Sequence, residues 1–160
     1  MTKITPCLWF DRQALEAAEF YTALFHEAGK PARIGRVTHY GPNMPLPDGT
    51  VLTVEFDLAG LPFLALNGGA AYAFNPAISM SVSCVDQDEL DFFWSRLLDG
   101  GQPVQCGWLT DRYGLSWQVV PEIMPELIQD MNPDARNRTM SAMMGMIKLD
   151  IAALQAAHAG

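Results

Sequence analysis

The chain has 160 residues, 49% of them hydrophobic and 18% charged, with a formal net charge of −8. That size suits one domain or two small modules sharing a core, and the acidic balance with scattered Lys and Arg argues against a nucleic-acid or anionic-membrane partner. No apolar run approaches a membrane span, and MTKITPCLWF reaches Asp11 before a signal-peptide segment develops, so a cytoplasmic location is expected.

In chain order, residues 3–10 read as a strand, and Asp11 as the N-cap of a helix burying Ala14, Ala17, Ala18, Tyr21, Leu24 and Phe25. Gly29 should stop that helix, and Pro31 restarts an extended segment over 33–40. The turn-rich loop GPNMPLPDG leads to strands over 51–58 and 62–66, giving β-α-β-β-β. The second half repeats the order: a strand over 77–84, then a helix opened by the capping-box spacing of Asp86 and Glu89, with Leu90, Phe93, Trp94, Leu97 and Leu98 on its buried stripe. Gly100 and Gly101 close it, and strands over 104–110 and 115–120 flank the turn DRYG, where Gly114 can take a positive φ. FYTALF at 20–25 against FWSRLL at 93–98 points to an internal duplication.

After Pro121 the composition changes, and Pro125, Asn132 before Pro133, and Asp150 predict helices near 125–131, 133–146 and 150–158. This extension, 122–160, carries an adaptable apolar surface of Met140, Met143, Met144, Met146 and Ile147, suited to packing on the main domain, a second subunit or a ligand. Three cysteines, Cys7, Cys84 and Cys106, form no CxxC pair and no local motif with His26, His39 or His158, so they read as buried thiols.

Two β-α-β-β-β modules in tandem resemble the vicinal oxygen chelate superfamily of glyoxalase, bleomycin-resistance and extradiol dioxygenase proteins. The segments ITPCLWFD, AAEFYTALF, FLALNGG, FNPAISMSVSC, CGWLTDRYGLSWQVVP and MIKLDIAALQAA resemble its PhnB-like subgroup, whose members often carry the name demethylubiquinone methyltransferase. The resemblance implies an α+β fold in which two βαβββ modules, 1–68 and 77–121, form a cupped mixed sheet with a C-terminal helical appendage. Metal-dependent relatives hold a divalent ion with His or Glu from the first and last strands of each module. Here those places carry Thr5, Pro6 and Cys7, then Ala65, Leu66 and Asn67, then Ser79, Met80 and Ser81, then Trp117, Gln118 and Val119. Carboxylates and imidazoles are missing from all four, so neither a metal nor another cofactor is expected.

The matched segments nominate Trp9, Phe10, Asn67, Phe74, Asn75, Trp108, Trp117 and Gln118 as pocket residues, binding by stacking and amide hydrogen bonds. Trp9, Phe10 and Phe74 also read as core, Asn67 as a turn former before Gly68 and Gly69, and Arg112 as a turn-tip cation that could meet an anionic ligand. On a strand Trp117 and Gln118 face opposite ways. The more continuous apolar set, Leu115, Trp117 and Val119, should lie under the helix, leaving Gln118 in the cup. The expected function is binding of a small organic molecule in an aromatic, metal-free cup by a homodimer, with no catalytic residue assigned. The alternatives are the methyltransferase that the family name implies, and a sequestration or partner-binding protein. A methyl-donor site of the common nucleotide-binding type would need a Gly-rich turn between a strand and a helix, and neither LNGGA nor DGGQP supplies one.

Overall fold

The computed structural model describes residues 4–160, so the start of the first predicted strand, Lys3, lies outside the described residues. The chain forms two compact units, Met1–Phe74 and Asn75–Gly160.

The first unit runs β1 (Cys7–Phe10), α1 (Ala14–Glu27), β2 (Ala32–His39), β3 (Val51–Leu58) and β4 (Leu61–Asn67). Its sheet has the order β1-β4-β3-β2, with β1 parallel to β4 and the other pairs antiparallel. The predicted stripe Ala14, Ala17, Ala18, Tyr21, Leu24 and Phe25 is buried, and Tyr21 stacks on Phe56, which stacks on Phe63 at 5.1 Å. Gly29 ends α1 at φ 69°, with Gly29 N–H donating to His26 O and Lys30 N–H to Phe25 O, the paired bonds of a Schellman stop.

The start of α1 differs from expectation. Asp11 is not its cap; the helix begins at Ala14, and the flanking Gln13 offers no side-chain cap. The acceptor comes from the end of β4, where Asn67 Oδ1 takes the Ala14 N–H at 2.9 Å. A tertiary contact thus does what a local cap would do for an orphan helical N–H.

The second unit repeats the plan with β5 (Met80–Cys84), α2 (Gln87–Leu98), β6 (Gln102–Pro103), β7 (Trp108–Thr110) and β8 (Ser116–Pro121), in the order β5-β8-β7-β6 and with β5 parallel to β8. Asp86 caps α2 through Glu89 N–H at 2.9 Å, while Glu89 reaches back to Val85 N–H rather than to Asp86. Of the strand predicted over 104–110 only 108–110 forms, with β6 lying before that range, and between them Cys106 and Gly107 both have positive φ, a conformation no strand continues through. Gly107 is required there: a Cβ would lie 2.8 Å from Val119 O.

Helices α3 (Met124–Gln129), α4 (Pro133–Met144) and α5 (Ile151–Ala159) follow, α4 capped by Asn132 and α5 by Asp150 as their sequences suggest. The 146–151 segment is held to the second unit by its backbone. Met146 O and Ile147 O accept from Cys106 and Gly107 N–H at 2.8 Å, and Gln87 bonds both Leu149 O and Ile151 N–H. Lys148 pairs with Asp91 at 2.7 Å, and Leu149 and Leu154 are fully buried. Met131, at 94% exposure, remains outside with Met144 and Ile147.

Candidate functional site

The geometry of β8 is set by Asp111, a residue read from the sequence only as part of a turn. The residue is 3% exposed; its Oδ1 accepts from Tyr113 and Leu115 N–H at 2.8 and 3.0 Å, and its Oδ2 from the Trp117 indole N–H at 2.9 Å. Gly114, at φ 82°, lets the chain turn back around that carboxylate. The available signal was an Asp three residues before a Gly, where its side chain can close the turn on its own backbone.

Trp117 is 2% exposed and shares its face with Leu115 and Val119, and with Leu109, Val82 and Cys84 on the neighbouring strands. All are buried, and α2 covers them with Leu90, Phe93, Trp94 and Leu97. The opposite face carries Gln118, with Trp108 across from it on β7 and Ser81 on β5. Strands lie about 4.8 Å apart, so these three side chains form one row. Gln118 Nε2 donates to Ser79 Oγ at 2.9 Å, leaving an amide with further donor and acceptor capacity. One step along, Gln102, Thr110 and Ser116 form a second row.

The remaining nominated residues have identifiable places in their own units. Asn67, 1% exposed, caps α1 with Oδ1 and donates from Nδ2 to Val51 O at 3.0 Å, so its amide knits α1, β3 and β4 together. Trp9 lies half-buried on the face of the first sheet away from α1. Its indole N–H donates to Gly69 O at 2.8 Å, and its ring leaves no room for a Cβ at Gly68. Phe74 packs edge-on against buried Phe10 at 5.2 Å. Asn75 is exposed and accepts from Ala77 N–H, shaping a turn. The Arg112 guanidinium donates to both the backbone carbonyl and the carboxylate of Asp99, which places it at the end of α2. Trp108 and Gln118 are therefore a nominated pair that the second unit brings side by side, as Phe10 and Phe74 are in the first.

The cysteines depart from expectation in one case. Cys84 is buried and Cys106 half-buried, but Cys7 is exposed because β1 turns it to the face away from α1. What burial its sulfur has pushes its thiol up, away from the reactive thiolate. The sequence reading also did not single out a groove of about 690 Å³ in the first unit, lined by Arg33, Arg36, Glu55, Asp57, Pro62 and Leu64. Arg36 lies 3.7 Å from Glu55 there, and Arg33 stands opposite Asp57 on adjacent strands.

The donor sets do not fit a divalent metal. Among the described residues no group of three or more His, Cys, Asp or Glu side chains is placed to hold an ion, and hydroxyl, indole and neutral amide groups are poor substitutes. They do not fit a nucleotide-type methyl donor either, since the β1–α1 link is Asp11-Arg12-Gln13 and the β5–α2 link Val85-Asp86, both without the glycines that admit a phosphate. Among the described residues no helix is long and apolar enough to cross a membrane.

Two βαβββ modules, each closing its sheet with a parallel first and last strand, define a vicinal oxygen chelate fold. Residues 2–120 match the family described as 3-demethylubiquinone-9 3-methyltransferase, and the chain belongs to that family, in its PhnB-like form. A PhnB protein from Bacillus cereus is 32% identical with a TM-score of 0.65, over 74% of this chain and 99% of its own. Protein PA1353 from Pseudomonas aeruginosa, 20% identical over 76% of this chain and 98% of its own, shares the fold at a TM-score of 0.60. No curated protein sequence matches the chain.

Proposed function

We propose that the protein binds a small organic molecule without a metal, on the face of the second sheet that carries Trp108 and Gln118. The observation that carries this reading is their cross-strand pairing, with an indole for stacking beside an amide held by Ser79. Trp9 offers a separate half-buried aromatic surface within the first unit, whereas Asn67, Phe74, Asn75 and Arg112 are better read as structural. Methyl transfer, which the family's description implies, has no donor site among these residues to support it.

The acidic charge and an odd count of three cysteines without a CxxC pair support a cytoplasmic protein, and the exposed Met131, Met144 and Ile147 support a homodimer that covers them. The test is a thermal-shift screen of organic ligands with and without divalent cations, since a ligand that binds only the native state raises apparent stability. A metal-independent shift that Trp108→Ala abolishes supports the reading; a shift that requires a cation overturns it.

A further inference from the structure

In the first sheet β2 pairs with β3 alone, so its other edge, eight residues long, is open among the described residues. Alternate N–H and C=O groups along such an edge point away from the sheet with no strand to meet them. A groove of about 690 Å³ runs beside it, between β2 and α1. Leu15 and Ala23 on the helix and Ala32, Ile34 and Val37 on the strand give it an apolar floor, and the two alanines are too small to fill it. Ile34 and Val37 both reach this side because the register slips between them, at Gly35 and Arg36. Three side chains stand on the rim, Glu19, His26 and Arg33, each exposed and without a hydrogen bond or ion pair among the described residues. About two turns of helix, roughly 10 Å, separate Glu19 from His26. Arg33 follows the link from α1, so the acid marks one end of the groove and the two basic residues the other.

From this we infer that an extended peptide with a free C-terminus docks here, adding a strand antiparallel to β2 and laying alternate apolar side chains into the groove. The charges set its direction. The 28–31 link joins α1 to β2 and closes the groove at the His26 and Arg33 end. A chain that runs from Glu19 toward that end opposes β2, which starts there, and brings its terminal carboxylate to the Arg33 guanidinium and the His26 ring. A lysine at its start can meet Glu19. Antiparallel pairing is also the more stable arrangement. A second copy of β2 is a poor occupant, because it would set Arg33 and Arg36 against the same two cations, and the slip at Gly35 interrupts long regular pairing. The surface belongs to the first unit and is independent of the Trp108–Gln118 site.

The probe is the acetylated hexapeptide Lys-Val-Thr-Val-Thr-Val with a free carboxylate, about 20 Å long when extended, titrated into the full chain. NMR shifts of the Ala23, Ile34 and Val37 amides report binding, and all three should move. In a strand the valine N–H groups of this peptide point to one edge and the threonine N–H groups to the other. N-methylation of one set should therefore weaken binding about tenfold or more, since several edge hydrogen bonds go together, while methylation of the other set leaves most of it. Equal effects from the two sets would rule out strand addition. Replacing the terminal carboxylate by an amide should weaken binding about two- to fivefold, the range of an exposed ion pair. Arg33→Ala should cause the same loss, and the amide probe should bind that variant as it binds the parent chain. Losses that add would place the carboxylate elsewhere and overturn the direction. Ala23→Trp, at an exposed helical position, should fill the groove and abolish binding while thermal stability holds; retained binding would overturn the site. Signals that stay unmoved with every probe overturn the inference. So do β2 amides that become protected from exchange as the chain concentration rises, because a second copy would then hold the edge.

Discussion

The indole N–H of Trp117 donates to Asp111 Oδ2 at 2.9 Å, joining a buried carboxylate to the largest side chain beneath α2. The other oxygen of Asp111 holds the backbone of the turn at Tyr113 and Leu115. One acidic side chain therefore fixes the β7–β8 hairpin and the rotamer of Trp117 together. Since the face presented by β8 depends on Trp117 lying under the helix, Asp111 also positions Gln118 on the far side without touching it.

Asp111→Ala should be among the most damaging single substitutions in the second unit. It removes three N–H contacts to a charged acceptor and leaves the donors buried, a loss of about 3–5 kcal/mol. Trp117→Phe, which keeps most of the apolar volume but deletes one donor, should cost about 1–3 kcal/mol. Urea denaturation of both variants checks the order, and a neutral Asp111→Ala would show that the turn holds without its carboxylate.

Asn67→Asp separates the two functions of that amide. The variant keeps an oxygen for Ala14 N–H but loses the donor to Val51 O, whereas Asn67→Ala loses both. Loss of a helix cap alone is worth about 0.5–2 kcal/mol, so Asn67→Ala should be destabilised by more than that, and Asn67→Asp should retain part of the difference. Denaturation midpoints that rank the two variants the other way would contradict the capping role.

The contrast between these residues shows what the sequence carried. Periodicity marked the α1 and α2 stripes almost residue by residue, because burial of one helix face is a local pattern, and the alternation of Leu115, Trp117 and Val119 assigned the β8 faces in the same way. For Asn67 and Asp111 the sequence showed less: spacing marks both as turn residues, but not what their side chains hold. Their partners, Ala14 and Val51 for Asn67 and Trp117 for Asp111, are set by tertiary register rather than by spacing. Cys106 hid a break for a related reason, since a non-glycine residue at positive φ leaves no mark in composition. The buried Ser116 hydroxyl, which has no hydrogen-bond partner among the described residues, could not be noticed at all, because a missing partner is visible only when every neighbour is in place.

Ala59 offers a gain. It occupies φ 50° in the two-residue turn between β3 and β4, followed by Gly60 at φ 86°. A left-handed conformation costs a residue with a Cβ about 1–2 kcal/mol, and glycine escapes that at the expense of a more flexible unfolded chain. Ala59→Gly should therefore stabilise the first unit by up to about 1 kcal/mol, read as a higher denaturation midpoint. A lower midpoint would mean that the alanine conformation is relaxed in place.

Acid should loosen the C-terminal extension before it unfolds the sheets. The Asp91 carboxyl lies below the ordinary carboxylate range because it accepts from Lys148 Nζ first and from Gln87 second. Asp130 lies below it too, held first by Asn132 N–H and then by His158 Nε2, the latter at 3.1 Å. A carboxyl depressed in the folded state contributes stability that is present above its unfolded value, about 3.9, and is lost as pH falls through the lower folded value. Both groups tie the extension down: Lys148 leads into α5, and His158 near its end also contacts Thr139 of α4. Protonating the two carboxyls removes both attachments, while Leu149, Leu154 and the Gln87 contacts to Leu149 and Ile151 remain. Hydrogen-exchange protection of the α5 amides, corrected for the intrinsic effect of pH, should hold steady above pH about 5 and fall below about 4, ahead of the α1 and α2 amides. Asp91→Asn should show part of that loss already at neutral pH and respond less to acid. Protection of α5 that keeps pace with α1 and α2 down to the lowest pH would show that the buried leucines hold the extension without its ion pairs.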